Sequence, residues 1–286
     1  MPYRRVIAQH PAHRDDIADL VTRRPLPGPG LPHLDPFLFL NHHGPQVYPP
    51  DNRGLPFGPH PHRGFETVTF ILAGALAHSD SGGHESVIDA GGVQWMTAGR
   101  GLVHAELSPE AFRRGGGPLE ILQLWVNLPA RLKMTAPRYV GLQREDIPAV
   151  DADDGRVCVR LVSGRFHDIS GPVKPLVDVA MAVVELREGG RVVLPAPRTH
   201  TVFLYVVRGA LHVGGTPVRP HHLVALDDGA DEVELHAQGE ASVLFGHAEP
   251  FAEPIVAHGP FVMNTAEEIR EAVRDYQAGR FDAVPD

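Results

Sequence analysis

Short runs of β-forming residues, separated by glycine and proline, dominate this sequence. Its 286 residues include 30 glycines and 28 prolines, the residue types that most often mark turns. Between them lie runs rich in Val, Ile, Leu, Phe and Thr, for example at 66–72, 93–96 and 119–126. Strands of this length and spacing are typical of barrels and sandwiches. The sequence therefore predicts an all-β fold.

The second half of the chain repeats the rhythm of the first. The strand-like stretch that starts at Glu66 and the stretch that starts at Thr201 superpose at an offset of 135 residues (from 66 to 201), and each continues through a glycine into a short second strand. Such a repeat predicts a duplicated β domain. We expect one domain over residues 1–135 and a second over 136–286, with the polar, proline-containing segment 133–155 as the linker.

One helix is predicted near the C-terminus. Thr265 and Glu268 have the spacing of a capping box. Apolar residues then recur every three or four positions, which gives the helix one apolar face; these residues are Ile269, Ala272, Val273 and Tyr276. We expect this face to pack on a barrel.

Charge and cysteine content exclude several classes of protein. With 26 Lys+Arg against 35 Asp+Glu the formal net charge is −9, and no basic run is present, which argues against direct binding of nucleic acid. No apolar run approaches the roughly 20 residues of a membrane-spanning helix. Cys158 is the single cysteine, so no intramolecular disulfide can form. These features predict a soluble, cytoplasmic protein.

Two histidine-containing pairs could bind a metal ion. His60 and His62 are two residues apart, as are His104 and Glu106, and in an extended strand such residues lie on the same face about 6–7 Å apart. Three imidazoles and a carboxylate suit Fe(II), Mn, Ni, Co or Zn, and the ligand types alone do not choose among them. Against this, a chain with 18 histidines contains such pairs by chance, and most histidines are surface or core residues.

Longer motifs surround these pairs. Gly54, the pair 60–62, Glu66 and Gly74, followed by Gly101 and His104, resemble the two cupin motifs. The stretches 60–70, 93–106, 122–129 and 253–265 resemble the signatures of the pirin family. This resemblance implies two tandem cupin barrels, each a double-stranded β-helix or jelly roll, with a C-terminal helix and one metal ion in the N-terminal barrel.

The resemblance also assigns individual residues. Its metal ligands fall on His60, His62, His104 and Glu106. Glu66, where many other cupins have a ligand, is then structural or supports the ligands. At the offset of 135 (60, 62 and 66 become 195, 197 and 201), the second domain has Pro195, Pro197 and Thr201. Proline cannot bind a metal, so the second barrel is expected to hold none.

Gln123 matches a pirin position that faces the metal pocket, where it could hold a water or a substrate oxygen. It could equally be a strand amide that bonds to the backbone. Arg63 follows the first histidine pair and is expected to anchor its loop through Glu or carbonyl contacts. The adjacent His42 and His43 point in opposite directions in a strand, so they cannot easily bind one ion.

Two functions follow from the resemblance. The first is a quercetin 2,3-dioxygenase that cleaves flavonols with O₂, with one divalent ion per chain, Fe(II) first, and Glu106 as both ligand and general base. The second is a redox-sensitive regulatory protein that binds transcription-related factors or metabolic enzymes. Pirin-like proteins also lead us to expect a monomer.

Overall fold

Antiparallel strands make up most of the chain. The computed structural model describes residues 2–281; Met1 and residues 282–286, which the predicted domains include, lie outside the described residues. The elements of the first half are β1 (Val6–Pro11), β2 (His13–Arg14), β3 (Thr22–Leu26), β4 (Phe37–Tyr48), β5 (Phe57–His62), β6 (Phe65–Ala73), β7 (Ala75–Asp80), β8 (Glu85–Asp89), β9 (Val93–Thr97), β10 (Leu102–Leu107), α1 (Glu110–Gly115), β11 (Gly117–Asn127) and β12 (Arg138–Leu142).

The second half has the same character. Its elements are β13 (Ala149–Ala152), β14 (Val157–Ser163), β15 (Arg165–Phe166), β16 (Ile169–Ser170), β17 (Val179–Leu186), β18 (Arg191–Pro195), β19 (Thr201–Arg208), β20 (Leu211–Val213), β21 (Thr216–Val218), β22 (His222–Leu226), β23 (Glu232–Ala237), β24 (Ala241–Ala248), β25 (Val256–His258), β26 (Phe261–Met263) and α2 (Ala266–Gln277). The predicted all-β fold with one C-terminal helix is confirmed, and α1 is a short addition to it.

The strands form two barrels, each built from two sheets. One barrel has a sheet of order β12-β9-β6-β11-β4-β3-β2 opposite a sheet of order β5-β10-β7-β8. The other has the orders β1-β22-β19-β24-β17-β14-β13 and β18-β23-β20-β21. The two series correspond strand for strand around β6 and β19, the pair that the sequence repeat aligned. The duplication is therefore visible in the order of the strands, as two tandem cupin barrels require.

The compact units do not follow chain order. Of the described residues, the first barrel contains Arg14–Arg23, Phe37–Glu145 and 251–281, and the second contains 2–13, Arg24–Pro36 and Asp146–Pro250. The boundary that we predicted between 135 and 136 would place the N-terminal segment in the first barrel and the C-terminal helix in the second. In the structure each of these segments belongs to the other barrel. Each terminal segment joins its barrel by contacts with residues far away in the sequence, for example β1 with β22. Local sequence patterns do not predict such contacts.

The predicted linker at 133–155 contains the boundary between the two units, between Glu145 and Asp146, but it is not a loop throughout. It contains β12, which pairs with β9, and β13, which pairs with β14. Both strands lie at an edge of their sheet and are short and half-polar, as protected edge strands often are. Their polar composition therefore resembles that of a loop.

The predicted C-terminal helix and its cap are confirmed. The Thr265 side chain accepts a hydrogen bond from the backbone N–H of Glu268, and the Glu268 side chain accepts one from the backbone N–H of Thr265. Ile269 and Ala272 are buried against a small core that includes Val103 of β10. Tyr276, the last member of the predicted apolar face, is 41% exposed. No helix within residues 2–281 is both long and apolar enough to cross a membrane.

The second barrel has an apolar interior with one buried histidine whose titration affects stability. The Nδ1 atoms of His247 and His200 lie 2.9 Å apart. Burial, together with the nearby His200 and Arg4, lowers the pKa of His247 to about 3. Below the unfolded-state pKa of roughly 6.5, the unfolded chain binds a proton that the folded chain does not. His247 therefore lowers the free energy of unfolding as pH falls from about 6.5 toward 3, and has no such effect above 6.5.

We predict that His247→Gln removes this acid sensitivity. Between about pH 7.5 and pH 5.5, the stability of the variant relative to the wild type should rise by about 1.4 kcal/mol, because one protonation is no longer coupled to unfolding. Urea unfolding at the two pH values measures this difference. Parallel pH dependences for the two proteins would contradict the assignment.

Candidate metal centre

The pairing of β5 with β10 brings the predicted metal ligands of the two motifs together. The strands are antiparallel, with His60 opposite His104 and His62 opposite Leu102. His60 and His62 share one face of β5 because successive residues of a strand alternate. His60 and His104 share a face because they lie directly opposite each other. All three imidazoles therefore lie on the same side of this sheet.

The three histidines form a compact group. Their ligand nitrogens all lie within 4.8 Å of one another. Ring centroids are 4.3 Å apart for His60 and His104, 4.9 Å for His60 and His62, and 5.0 Å for His62 and His104. Nitrogens bound at the usual distance of about 2.1 Å to one ion are at most about 4.2 Å apart. Small side-chain rotations are enough to bring the group to that spacing.

Hydrogen bonds leave a nitrogen available on each ring. Nδ1 of His60 pairs with the carbonyl of Gly58 at 2.7 Å, and Nδ1 of His62 with the carbonyl of Pro260 at 3.3 Å. These contacts place the proton on Nδ1 and leave Nε2 of each ring as a lone pair. His104 is 2% exposed, and neither of its ring nitrogens has a hydrogen-bond partner within residues 2–281. A buried, unpartnered imidazole between two others fits a metal ligand.

Burial also keeps these rings neutral. Desolvation, reinforced by the positive potential of His60, lowers the pKa of His62 to about 3. Desolvation and the neighbouring histidines lower the pKa of His104 well below its ordinary value. Only neutral imidazole can bind a metal ion, so both side chains remain competent ligands in mildly acidic solution.

The turn after His62 fixes the position of that ligand. Gly64 has φ +91°, and a Cβ there would lie 2.0 Å from the carbonyl oxygen of Val262. The buried ammonium of Lys133 donates to the carbonyls of Gly64 and Val262 at 2.9 and 3.0 Å, and to the side chain of Asn127 at 2.6 Å. The turn is thus held on both sides by the buried ammonium group.

Glu106, the fourth predicted ligand, is buried beside the histidine group but is not part of it. Its Oε1 accepts hydrogen bonds from Oγ1 of Thr69 at 3.1 Å and from Nε2 of Gln94. Its Oε2 accepts one from Nε2 of Gln123 at 2.5 Å. Desolvation raises the pKa of Glu106, although these hydrogen bonds and the nearby histidines oppose the increase.

Gln123 lies in the pocket, but its amide bonds to Glu106 rather than to the backbone. Of the two alternatives considered from the sequence, the backbone contact is replaced by this contact with a side chain, and the contact with a water or substrate oxygen stays a prediction. Gln123 of β11 lies opposite Thr69 of β6, which in turn lies opposite Gln94 of β9. Three neighbouring strands therefore each contribute one donor to the same carboxylate.

Other residues singled out from the sequence have structural contacts. Glu66 accepts a hydrogen bond from Thr97 at 2.6 Å. Arg63 donates to the carbonyl of Arg100 at 2.5 Å and pairs with Asp275 of α2 at 2.8 Å. His42 bonds to Glu120 at 3.0 Å, and His43 bonds to Thr22 at 2.8 Å. Arg63 thus anchors its loop as predicted, through a carbonyl and an aspartate.

Sequence reasoning missed Thr69, Gln94 and several aromatic and histidine side chains near the site. Trp125 lies 5.3 Å from His62 between ring centroids and stacks on Phe39 at 4.7 Å. His78 lies 5.5 Å from His104. His78 could have been found from its spacing. It lies two residues from Leu76 and two from Asp80, and every second residue of a strand faces the same way.

Comparisons with known proteins agree with this architecture. The family model Pirin matches residues 19–126, and the model Pirin C-terminal cupin domain matches residues 181–282. A Pseudomonas aeruginosa protein named "Putative quercetin 2,3-dioxygenase PA2418" is 43% identical over 249 residues, which cover 87% of each chain. Mouse pirin is 38% identical over 266 residues, or 89% of this chain and 86% of the mouse protein.

A solved structure is also closely similar. The crystal structure of quercetin 2,3-dioxygenase from Acinetobacter baumannii at 1.88 Å resolution superposes with a TM-score of 0.93 at 33% sequence identity. The match covers 99% of this chain and 100% of that one. The similarity therefore extends over both barrels.

We predict that His104→Ala abolishes tight metal binding. Loss of one of three converging imidazoles should lower affinity by more than the roughly 10–100-fold that loss of a supporting residue costs. Competition with a metal-binding dye, for Ni(II) and Zn(II), measures the affinity. His258→Ala, a change at an exposed histidine of β25, is the matched control and should bind as the wild type does. Equal affinities for all three proteins would refute the site.

We predict a smaller effect for Gln123→Leu. The change removes one donor to Glu106 while keeping a side chain of similar size, so metal affinity should fall about 10–100-fold if Glu106 contributes to binding. The same dye competition measures it. An unchanged affinity would show that Glu106 needs no support from this amide or takes no part in binding the ion.

Proposed function

Because the chain belongs to the pirin family, we propose that it is a metal-dependent dioxygenase of the quercetin 2,3-dioxygenase type. Its substrates are flavonol-like molecules and O₂. One observation carries the proposal: the group of His60, His62 and His104, of which the last two are buried, and in which neither ring nitrogen of His104 has a hydrogen-bond partner among residues 2–281. The names of the bacterial relative and of the similar solved structure support the same reaction class.

His60, His62 and His104 would hold the ion, with Glu106 as the fourth ligand. Fe(II) is the ion that suits reaction with O₂, although Mn, Co, Ni and Zn suit the same donors. When bound, such an ion supplies Lewis-acid and redox chemistry at coordination positions that the protein leaves open. The protein's own contribution is to fix the ligands and to keep the pocket dry.

In this function Glu106 takes the proton of the substrate hydroxyl at one of its carboxylate oxygens. Burial raises the pKa of Glu106, which makes the carboxylate a stronger base than one in water. Gln123, Gln94 and Thr69 orient it. The donor amides also stabilise the ionised form, so the carboxylate is ready to accept a proton before substrate binds.

Aromatic side chains beside the histidines suit a flat substrate. Trp125 and Phe39 are stacked and only partly buried, and Trp125 contacts His62. Stacked rings offer apolar surface of the shape that a planar polyphenol needs. This wall distinguishes the pocket from a purely polar metal site.

The decisive experiment is O₂ uptake by Fe(II)-loaded protein on addition of quercetin, with iron measured on the same sample. Uptake should scale with one iron per chain and be lost in His104→Ala. Glu106→Gln should lose turnover while retaining some iron, since an amide can still bind but cannot take the proton. His258→Ala should behave as the wild type.

One tightly bound iron per chain without uptake would contradict the dioxygenase. The regulatory role, in which the oxidation state of the ion changes binding to a partner protein, would then lead. Wild-type turnover in Glu106→Gln would refute the role of Glu106 as base while leaving the reaction class intact.

A further inference from the structure

A second pair of polar side chains lies beside the candidate metal ligands, on the neighbouring strand β7. On β7, His78 lies opposite Glu106 and Asp80 lies opposite His104. Directly opposite residues of an antiparallel pair share a face of the sheet. His78 and Asp80 are therefore on the same face as the candidate ligands. His78 is 3% exposed, and its ring centroid lies 5.5 Å from that of His104.

Asp80 fixes the proton of His78. Nε2 of His78 lies 3.0 Å from Oδ2 of Asp80, and an ionised carboxylate can only accept, so Nε2 carries the hydrogen. Oδ1 of Asp80 accepts hydrogen bonds from the backbone N–H groups of Gly82 at 2.8 Å and His84 at 3.2 Å. The carboxylate is thus held by the turn that follows β7.

The plane of the His78 ring is fixed as well. It stacks on Tyr139 with a centroid distance of 4.1 Å and an interplanar angle of 14°. The Tyr139 hydroxyl in turn bonds to Ser86 at 2.5 Å and to Gln94 at 3.2 Å. Tautomer and orientation are therefore both determined before any ligand binds, as in other sites where a carboxylate orients a histidine.

These contacts leave Nδ1 of His78 as a lone-pair acceptor. It is buried and has no hydrogen-bond partner within residues 2–281. A buried acceptor without a donor is unfavourable. Glu106 nearby already receives three hydrogen bonds, and His78 is not part of the histidine group that could hold an ion. The donor to Nδ1 therefore lies outside residues 2–281, in a water or in a molecule bound at the site.

We propose that His78 accepts, at Nδ1, a hydrogen bond from a hydroxyl group of the molecule bound at the metal centre, and that Asp80 is the positioning residue for His78. The proposal rests on the proposed function in taking this molecule to be a hydroxylated aromatic. The hydroxyl is a different one from that whose proton Glu106 takes. The pair makes the pocket selective for ligands with this second hydroxyl, because a site built around a buried acceptor rejects an analogue that lacks the donor.

Two flavones test the proposal without turnover. Chrysin carries two hydroxyl groups but lacks the 3-hydroxyl of a flavonol, whose proton Glu106 takes in the proposed reaction, and flavone is the same skeleton with no hydroxyl group. Zinc-loaded protein, which has no redox chemistry, is titrated with each compound, and the fluorescence of Trp125 beside His62 reports binding. The wild type should bind chrysin about tenfold more tightly than flavone.

Two variants change the acceptor in different ways. His78→Phe keeps a ring to stack on Tyr139 but has no acceptor. Asp80→Asn keeps an oxygen for the N–H groups of the turn and presents an amide N–H to Nε2, which moves the ring hydrogen to Nδ1. In both, the preference for chrysin should fall about tenfold, with flavone binding and zinc content unchanged. His258→Phe should keep the wild-type preference.

An NMR measurement on the wild type requires no variant. In ¹⁵N-histidine-labelled, zinc-loaded protein, His78 should show a protonated Nε2 and an unprotonated Nδ1 whose resonance moves when chrysin binds, and Asp80→Asn should exchange the two states. A protonated Nδ1 in the wild type, no detectable chrysin binding, or the same preference in His78→Phe would each overturn the proposal. Because no O₂ is consumed, selective chrysin binding would stand even if the dioxygenase assay failed.

Discussion

The antiparallel register between β5 and β10 is the constraint on which the site depends. It places His60 opposite His104, and the alternation of strand residues adds His62 and Glu106 to the same face. A slip of β5 by one residue would turn His60 and His62 away from the face that carries His104 and Glu106. The turn at Gly64 follows β5 directly, and the buried Lys133 donates a hydrogen bond to its carbonyl. The buried lysine therefore helps to hold the end of β5, and with it His62, in place.

Local pattern was enough to predict the strands that carry the chemistry and not enough to predict how the units are assembled. The apolar run at 66–72 became β6, and Thr265 with Glu268 became the cap of α2. The segment 133–155 does contain the boundary between the units, but it also contains β12 and β13, edge strands whose polar composition resembles that of a loop. The N-terminal segment belongs to the second barrel and the C-terminal helix to the first. Both assignments depend on contacts between distant parts of the sequence, which hydrophobic periodicity does not predict.

The same division holds within the site. The spacing of two residues within each motif was sufficient to find the imidazoles, because they lie on one strand and on the strand that pairs with it. The donors to Glu106 come from β6, β9 and β11, at Thr69, Gln94 and Gln123. Each is an ordinary strand residue by itself, and only the order of the sheet shows that they converge. His78 was hidden for the same reason, since its importance depends on Asp80 and on a neighbour across the ladder.

The two barrels differ in the residues that corresponding sheets bury. In the second barrel β18 and β23 correspond by strand order to β5 and β10, yet their buried residues Leu194, Val233 and Leu235 join a continuous apolar core. The first barrel fills the corresponding sheet with imidazoles and carboxylates, whose desolvation opposes folding unless each finds a partner. Most of them find one within the chain. Within residues 2–281, the buried ring nitrogens of this sheet that lack a partner are on His104 and His78, and they are the atoms that we assign to an ion and to a ligand.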